Sequence, residues 1–279
     1  MEVSVLRAMK PDEVRAKLGA FTAPYVTDWE NWLQADQSDR VARFAAILRS
    51  WQATRPLPLR RPRAEASHEP PFIEDLLAEV APQLEVLGDV TVADLATASP
   101  AQFAALHGLW AVFSKLPQRG TASCVGITKA VMLLTYGRIG PAFDSLVRKA
   151  LGLKDHLRSS EEWVGSLLGI SADIRAFEAE HGKLADIVPK SFATYHVGRL
   201  YDMVLGPGAS DADGRTVPSP EQVVAETAQP IPAKVDIREK LALFDDHWNP
   251  PDRRRVERPA RQAREVPGRV RLAQARPRG

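Results

Sequence analysis

Apolar residues recur at helical spacing along most of the first 205 positions of the chain. Val41, Phe44, Ala45, Leu48 and Trp51 form one stripe, and Phe72, Leu76, Leu77, Val80 and Leu84 form another. Steps of three and four residues mark helices that bury one side. Cap signals cut these stripes into elements. Pro11 suits a helix start and Gly19 its close. Thr27-x-x-Glu30 reads as a capping box and Ser38 as the cap of the helix that carries Val41 to Trp51. Thr91-x-x-Asp94 starts a short helix, and Ser99-x-x-Gln102 starts a longer one with Phe103, Leu106, Trp110 and Phe113 inward. Ser159-x-x-Glu162 predicts a helix with Trp163 and Leu167, and Ser171 caps another with Ile174 and Phe177. A last helix is expected from about Ser191 through Tyr195 and Leu200 to Met203. The Pro- and Arg-rich run 54–71 reads as an extended loop. No stretch sustains period-two alternation. The pattern predicts an all-α, multi-helix globular domain of about ten short helices.

The stretch 115–153 organises the others. An apolar helix is expected at about 127–135, after a Val125-Gly126 turn, with a Gly140-Pro141 break ending it. A second helix starts near Phe143 and carries Asp144 in its first turn. A Gly turn between two helices can offer backbone N–H groups to a phosphate, because Gly tolerates positive φ and close approach. That use makes Gly126, Thr128, Lys129 and Arg148 the candidate nucleic-acid contacts. Plainer roles stand beside it. Asp144 suits a helix cap, Lys129 a solvated helix face, and Cys124 a small core position. Arg148 and Lys149 suit a solvated face, and Tyr201 in Arg199-Leu200-Tyr201-Asp202 suits core packing. The six His lack metal-ligand spacing, so neither metal nor cofactor is expected.

Charge changes the picture of the far end. The chain of 279 residues carries a formal +2. Residues 251–279 hold ten Arg and three acids, a net +7, which leaves −5 for the rest. Residues 206–232 turn to Gly, Pro, Ser and Asp, which is linker composition. The expected organisation is a helical domain over 1–205, a disordered linker over 206–232 and a basic, largely disordered tail over 233–279. One cysteine, no signal peptide at Met1 and no run of 18 apolar residues suggest a cytoplasmic protein that does not enter a membrane.

The central pair resembles the helix-hairpin-helix DNA glycosylase superfamily. Members carry a Gly-rich hairpin, in some cases a Lys just after it, then an apolar helix and a Pro followed by a catalytic Asp. The resemblance implies that Lys129 stands near the Schiff-base lysine, and that Asp144, three residues after Pro141, stands at the aspartate. Ala122-Ser123-Cys124-Val125-Gly126 departs from the family by lacking the hairpin's Pro and first Gly. Pro141-Ala142-Phe143-Asp144-Ser145 is also similar to a step in a set of small bacterial helical proteins without established catalysis. The likeness spans about 95–205.

Residues 233–250 resemble the start of a small cupin domain. Moving the reading frame by one base after Pro250 allows cupin-like strands with a His-x-His pair. The tail therefore reads as a cupin remnant lost by frameshift near Pro250, or as a gene that runs into a neighbouring cupin gene, and it lacks the metal-binding histidines.

Three functional expectations follow. The first is a helical binding domain that contacts nucleic acid through the hairpin turn, without catalysis of its own. The second is a DNA base-excision enzyme using Asp144 and Lys129, which requires both to face one cleft with an aromatic wall from Trp110 or Tyr136. The third is a fusion protein whose cupin half is missing. The Arg-rich tail also reads as an arm for polyanions.

Overall fold

The computed structural model describes residues 3–65 and 69–206. The expectations for the linker beyond Gly206 and for the cupin-like tail lie outside these residues. Among the described residues ten α-helices form in order: α1 Pro11–Gly19, α2 Ala23–Leu33, α3 Arg40–Ser50, α4 Ile73–Leu87, α5 Pro100–Phe113, α6 Cys124–Leu134, α7 Ser145–Ala150, α8 Ser160–His181, α9 Leu184–Ile187 and α10 Val197–Leu205. Among the described residues there is no strand, and pairing is limited to the isolated bridges Leu59–Pro117 and Arg61–Phe72. The all-α expectation holds.

Helix α6 lies at the centre. Cys124, Ile127, Ala130, Val131, Met132 and Leu133 are buried around most of its circumference, as in a helix enclosed by others. Helices α3 and α5 pack on it, and α4 packs on α5. Trp29, Trp32, Phe44, Phe113, Trp163 and Phe177 fill the space between layers with no more than 1% exposure. Several cap signals are realised. Thr91 N and Oγ1 donate to Asp94, Ser99 N donates to Gln102 while Gln102 N donates back to Ser99 Oγ, and Glu162 N donates to Ser159 Oγ.

Others are displaced. Helix α2 begins one turn before Thr27, because Pro24 fits a first helical turn, where its missing N–H costs nothing. Thr27 then lies inside the helix and donates to the Ala23 carbonyl. Ser38 does not cap α3; Asp39 holds the cap position, and both Ser38 Oγ and Asp39 N donate to Asp36. Ser171 is no cap either. Helix α8 runs unbroken for 22 residues, and the buried Ser171 hydroxyl donates to the Ala93 carbonyl at 2.9 Å. The expected helix from Ser191 splits into a 3₁₀ turn, Lys190–Phe192, and α10.

The central pair differs most from its expectation. Val125 and Gly126 are not a turn but the first turn of α6. Gly126 is buried, and a Cβ there would stand 2.4 Å from the Ala53 carbonyl oxygen. The glycine is needed because the loop after α3 lies against the helix. Helix α6 ends at Leu134, through Tyr136 and Gly137 at positive φ, seven residues before Pro141.

One buried carboxylate joins the two ends of the described chain. Asp173 in α8 is fully buried and accepts from the backbone N–H groups of Val5, Leu6 and Arg7 at 3.2, 2.7 and 3.2 Å. It also accepts from the Tyr201 hydroxyl of α10 at 2.8 Å. Tyr201 is thus core, as expected, with a polar role added.

Candidate functional site

A cleft of about 510 Å³ opens between the start of α2, the end of α3, α6, the start of α7 and α10. Lys129, Asp144 and Arg148 all line it, so three of the residues singled out in the sequence come together. Gly126 and Thr128 do not. Thr128 is buried, donates to the Cys124 carbonyl at 2.8 Å and accepts from Phe143 N at 2.9 Å, which ties α6 to the approach to α7.

Lys129 is half-buried rather than solvated. Its Nζ donates to the Trp51 carbonyl at 2.6 Å. Trp51 ends α3, where carbonyls lack helical partners, so an amine is well placed there. Burial pushes the Lys129 amine below the usual lysine range, against the opposing pull of Asp144 and Asp202. Asp144 caps α7, as its position suggested. Its Oδ1 accepts from Leu146 N at 2.9 Å and from Val147 N at 3.0 Å.

The floor comes from α10. Asp202 accepts from Ala142 N at 2.9 Å through one oxygen and from Arg199 Nη1 at 2.5 Å through the other. Burial raises the Asp202 carboxyl to about 6, and nearby Asp144 adds to that shift; Arg199, the Ala142 N–H and Lys129 pull the other way. Arg199 is 2% exposed. Its guanidinium lies 5.1, 4.8 and 5.7 Å from the ring centres of Phe21, Trp29 and Trp51. Its Nη2 donates to the Tyr25 carbonyl at 3.2 Å, and its Nε has no partner.

An aromatic wall does face the amine, but not the one expected. Phe21, Tyr25 and Trp51 form it, with Tyr25 and Trp51 meeting edge to face at 6.0 Å. Asp28 fixes the indole by accepting from Trp51 Nε1 at 2.9 Å. Trp110 instead packs on Trp163, and Tyr136 stacks on Trp32; neither lines the cleft. Both belong to core contacts behind α6.

Cys124 is buried, as its core reading requires, and burial pushes its thiol up. Its Sγ stands 3.7 Å from Nδ1 of His156, which lines the cleft. Among the described residues no group of three or more His, Cys, Asp or Glu is placed to hold a metal, and no helix is long and apolar enough to cross a membrane.

The raised Asp202 carboxyl has a consequence for stability. A group whose pKa rises on folding contributes stability at low pH and loses it as pH climbs through the folded value. The stability of the parent protein relative to Asp202→Asn should therefore fall between about pH 4 and pH 7. Thermal unfolding of both proteins across that range measures it. A constant difference between the two midpoints would show that Asp202 titrates normally.

No known family model, curated protein or solved structure matches this chain.

Proposed function

We propose that this cleft is the working site of a base-excision domain that acts on nucleic acid. One observation carries the reading: a desolvated amine and two carboxylates line one cavity beside a wall of aromatic rings. Aromatic walls stack extruded bases, and a lysine with depressed pKa is nucleophilic at neutral pH. The reading of a phosphate-binding hairpin without catalysis draws less support, because Gly126 is covered by the Ala53 carbonyl.

The residues divide the chemistry as follows. The neutral Lys129 amine gives its lone pair to C1′ of the sugar as the glycosidic bond breaks, and the bonding pair leaves with the base. One proton from the new ammonium passes through Asp144 to the departing base. The second goes to the ring oxygen as the sugar opens and an imine to Lys129 forms. Burial favours the uncharged amine, while Asp144 and Asp202 pull the other way. The resulting imine can be reduced to a stable adduct.

Borohydride trapping on duplex DNA that contains uracil, a damaged base or an abasic site tests this directly. The wild type should give a covalent adduct and Lys129→Ala none. Asp144→Asn keeps an acceptor for the α7 cap, so it should fold yet trap poorly. Equal trapping by Lys129→Ala, or none by any protein, would sink the assignment.

A further inference from the structure

We infer that the cleft takes a nucleotide embedded in a polynucleotide strand, whose phosphates lie on two basic grooves flanking it. This rests on the base-excision reading and adds the route of the strand. The hairpin cannot hold phosphates here, so the positive charge must be sought elsewhere, and it is found on either side of the site.

On one side a groove of about 460 Å³ is lined by Arg148, Lys149 and Lys154, and it shares Ser145 and Arg148 with the cleft. On the other a groove of about 420 Å³ runs along the Pro-rich loop and shares Gln52 with the cleft. Arg55, Arg60 and Arg61 line it. Arg49, also in this groove, is occupied by Glu65, through two bonds of 2.8 Å. Among the described residues neither groove is lined by a carboxylate, although Glu65 stands near enough to Arg61, and Asp75 and Glu79 to Arg60, to feel their charge. Arg60 Nε is buried without a partner. The adjoining groove past His156 is different in kind, since Asp155 and Glu162 line it beside Arg158.

The order along the surface is thus cation groove, aromatic cleft, cation groove. A free nucleoside would use only the middle. A strand uses all three, its backbone on the cations and one base turned into the cleft. Cationic side chains that replace counterions on phosphates give binding that weakens with salt.

The test uses the full chain and a fluorescein-labelled oligonucleotide with a central tetrahydrofuran abasic site, single-stranded and as a duplex. Anisotropy is followed over a salt series. Lys149→Gln with Lys154→Gln, and Arg55→Gln with Arg61→Gln, change exposed side chains and should fold normally. Each pair should make the plot of log K against log salt shallower. The change is about 0.7 for each phosphate-binding cation removed when the strand is single, or about 0.9 on a duplex. The two pairs should add. The basic tail contributes equally to every variant, so an unchanged slope in the fourfold variant would assign all binding to the tail and overturn the inference. So would displacement of the strand by phosphatidylglycerol vesicles that the fourfold variant no longer binds. Trapping by the wild type with strand binding untouched in the fourfold variant would remove the strand path alone. Strand binding that follows the variants, with no trapped adduct, would remove the amine chemistry alone.

Discussion

Asp173→Ala is expected to lower the unfolding free energy by about 3–5 kcal/mol, the cost of removing one partner from a buried charged network. The carboxylate is fully buried and serves four donors: three backbone N–H groups at residues 5 to 7 and the Tyr201 hydroxyl. Alanine leaves all four without that acceptor, and the Leu6 N–H and the Tyr201 hydroxyl among them are buried. Each hydrogen bond to a charged group contributes about 1.5–3 kcal/mol, and the four do not add because the segment will partly release into water. Tyr201→Phe removes one donor only and keeps the ring, so about 1–2 kcal/mol is expected. Urea unfolding of the three proteins at neutral pH decides the matter. A loss under about 1 kcal/mol for Asp173→Ala would mean that the N-terminal segment is not held by this residue.

The second large effect is Gly198→Ala. A Cβ at this position would stand 2.6 Å from Gly137 O, 2.7 Å from Gly140 N and 2.9 Å from Arg138 O. All three atoms are backbone, so none can swing aside as a side chain would. Helix α10 must lift away from the loop after α6, and overpacking of this kind costs about 1–3 kcal/mol, here toward the upper end. The lift also reaches the cleft. Arg199 N donates to Gly137 O at 2.9 Å, and Asp202 accepts from Ala142 N at 2.9 Å, so both charged residues of the floor depend on that close approach. Gly198→Ala should therefore lose stability and most of the trapped adduct together. Gly165→Ala is the control: a Cβ there meets nothing within 4 Å, and it lies inside α8. Helix propensity alone should then stabilise the protein by about 0.5–1 kcal/mol. Equal behaviour of the two variants in thermal unfolding would rule out the close approach of α10.

The parts of the fold that could be read from the sequence are those encoded locally. Ser99 with Gln102 and Thr91 with Asp94 satisfy each other across three residues, so the signal and the structure occupy the same few positions. Thr27, Ser38 and Ser171 carry the same residue types and do other work. The Ser171 hydroxyl serves a carbonyl 78 residues away, and no local pattern can announce such a partner. Gly126 misled in the same manner. Glycine suits a turn by its own freedom, but it also suits a helix wherever another backbone comes close, and the carbonyl that comes close belongs to Ala53.

The candidate site divides along the same line. Lys129 and Asp144 stand out because the break at Gly140-Pro141 separates an apolar helix from a capped one. Arg199 and Asp202 were visible as an ion pair at helical spacing, three residues apart on a helix otherwise apolar. A charged pair on such a helix signals burial, and that reading would have placed both on the floor. The wall of Phe21, Tyr25 and Trp51 was out of reach, because its rings come from the first quarter of the chain and meet the amine only through packing.

The clamp at Asp173 also orders events in time. Val5 and Asp173 are 168 positions apart, and Arg15 Nε donates to the Ile187 carbonyl across 172. During synthesis the first helices leave the ribosome long before residues that can hold them exist. Helices α4 and α5 find each other early, across a short connection, while α1 waits for α9 and α10. The N-terminal segment is thus the last part to dock, and closing so long a loop is entropically slow. A nascent chain halted before Tyr201 would expose Val14 and Leu18 to whatever chaperones are present.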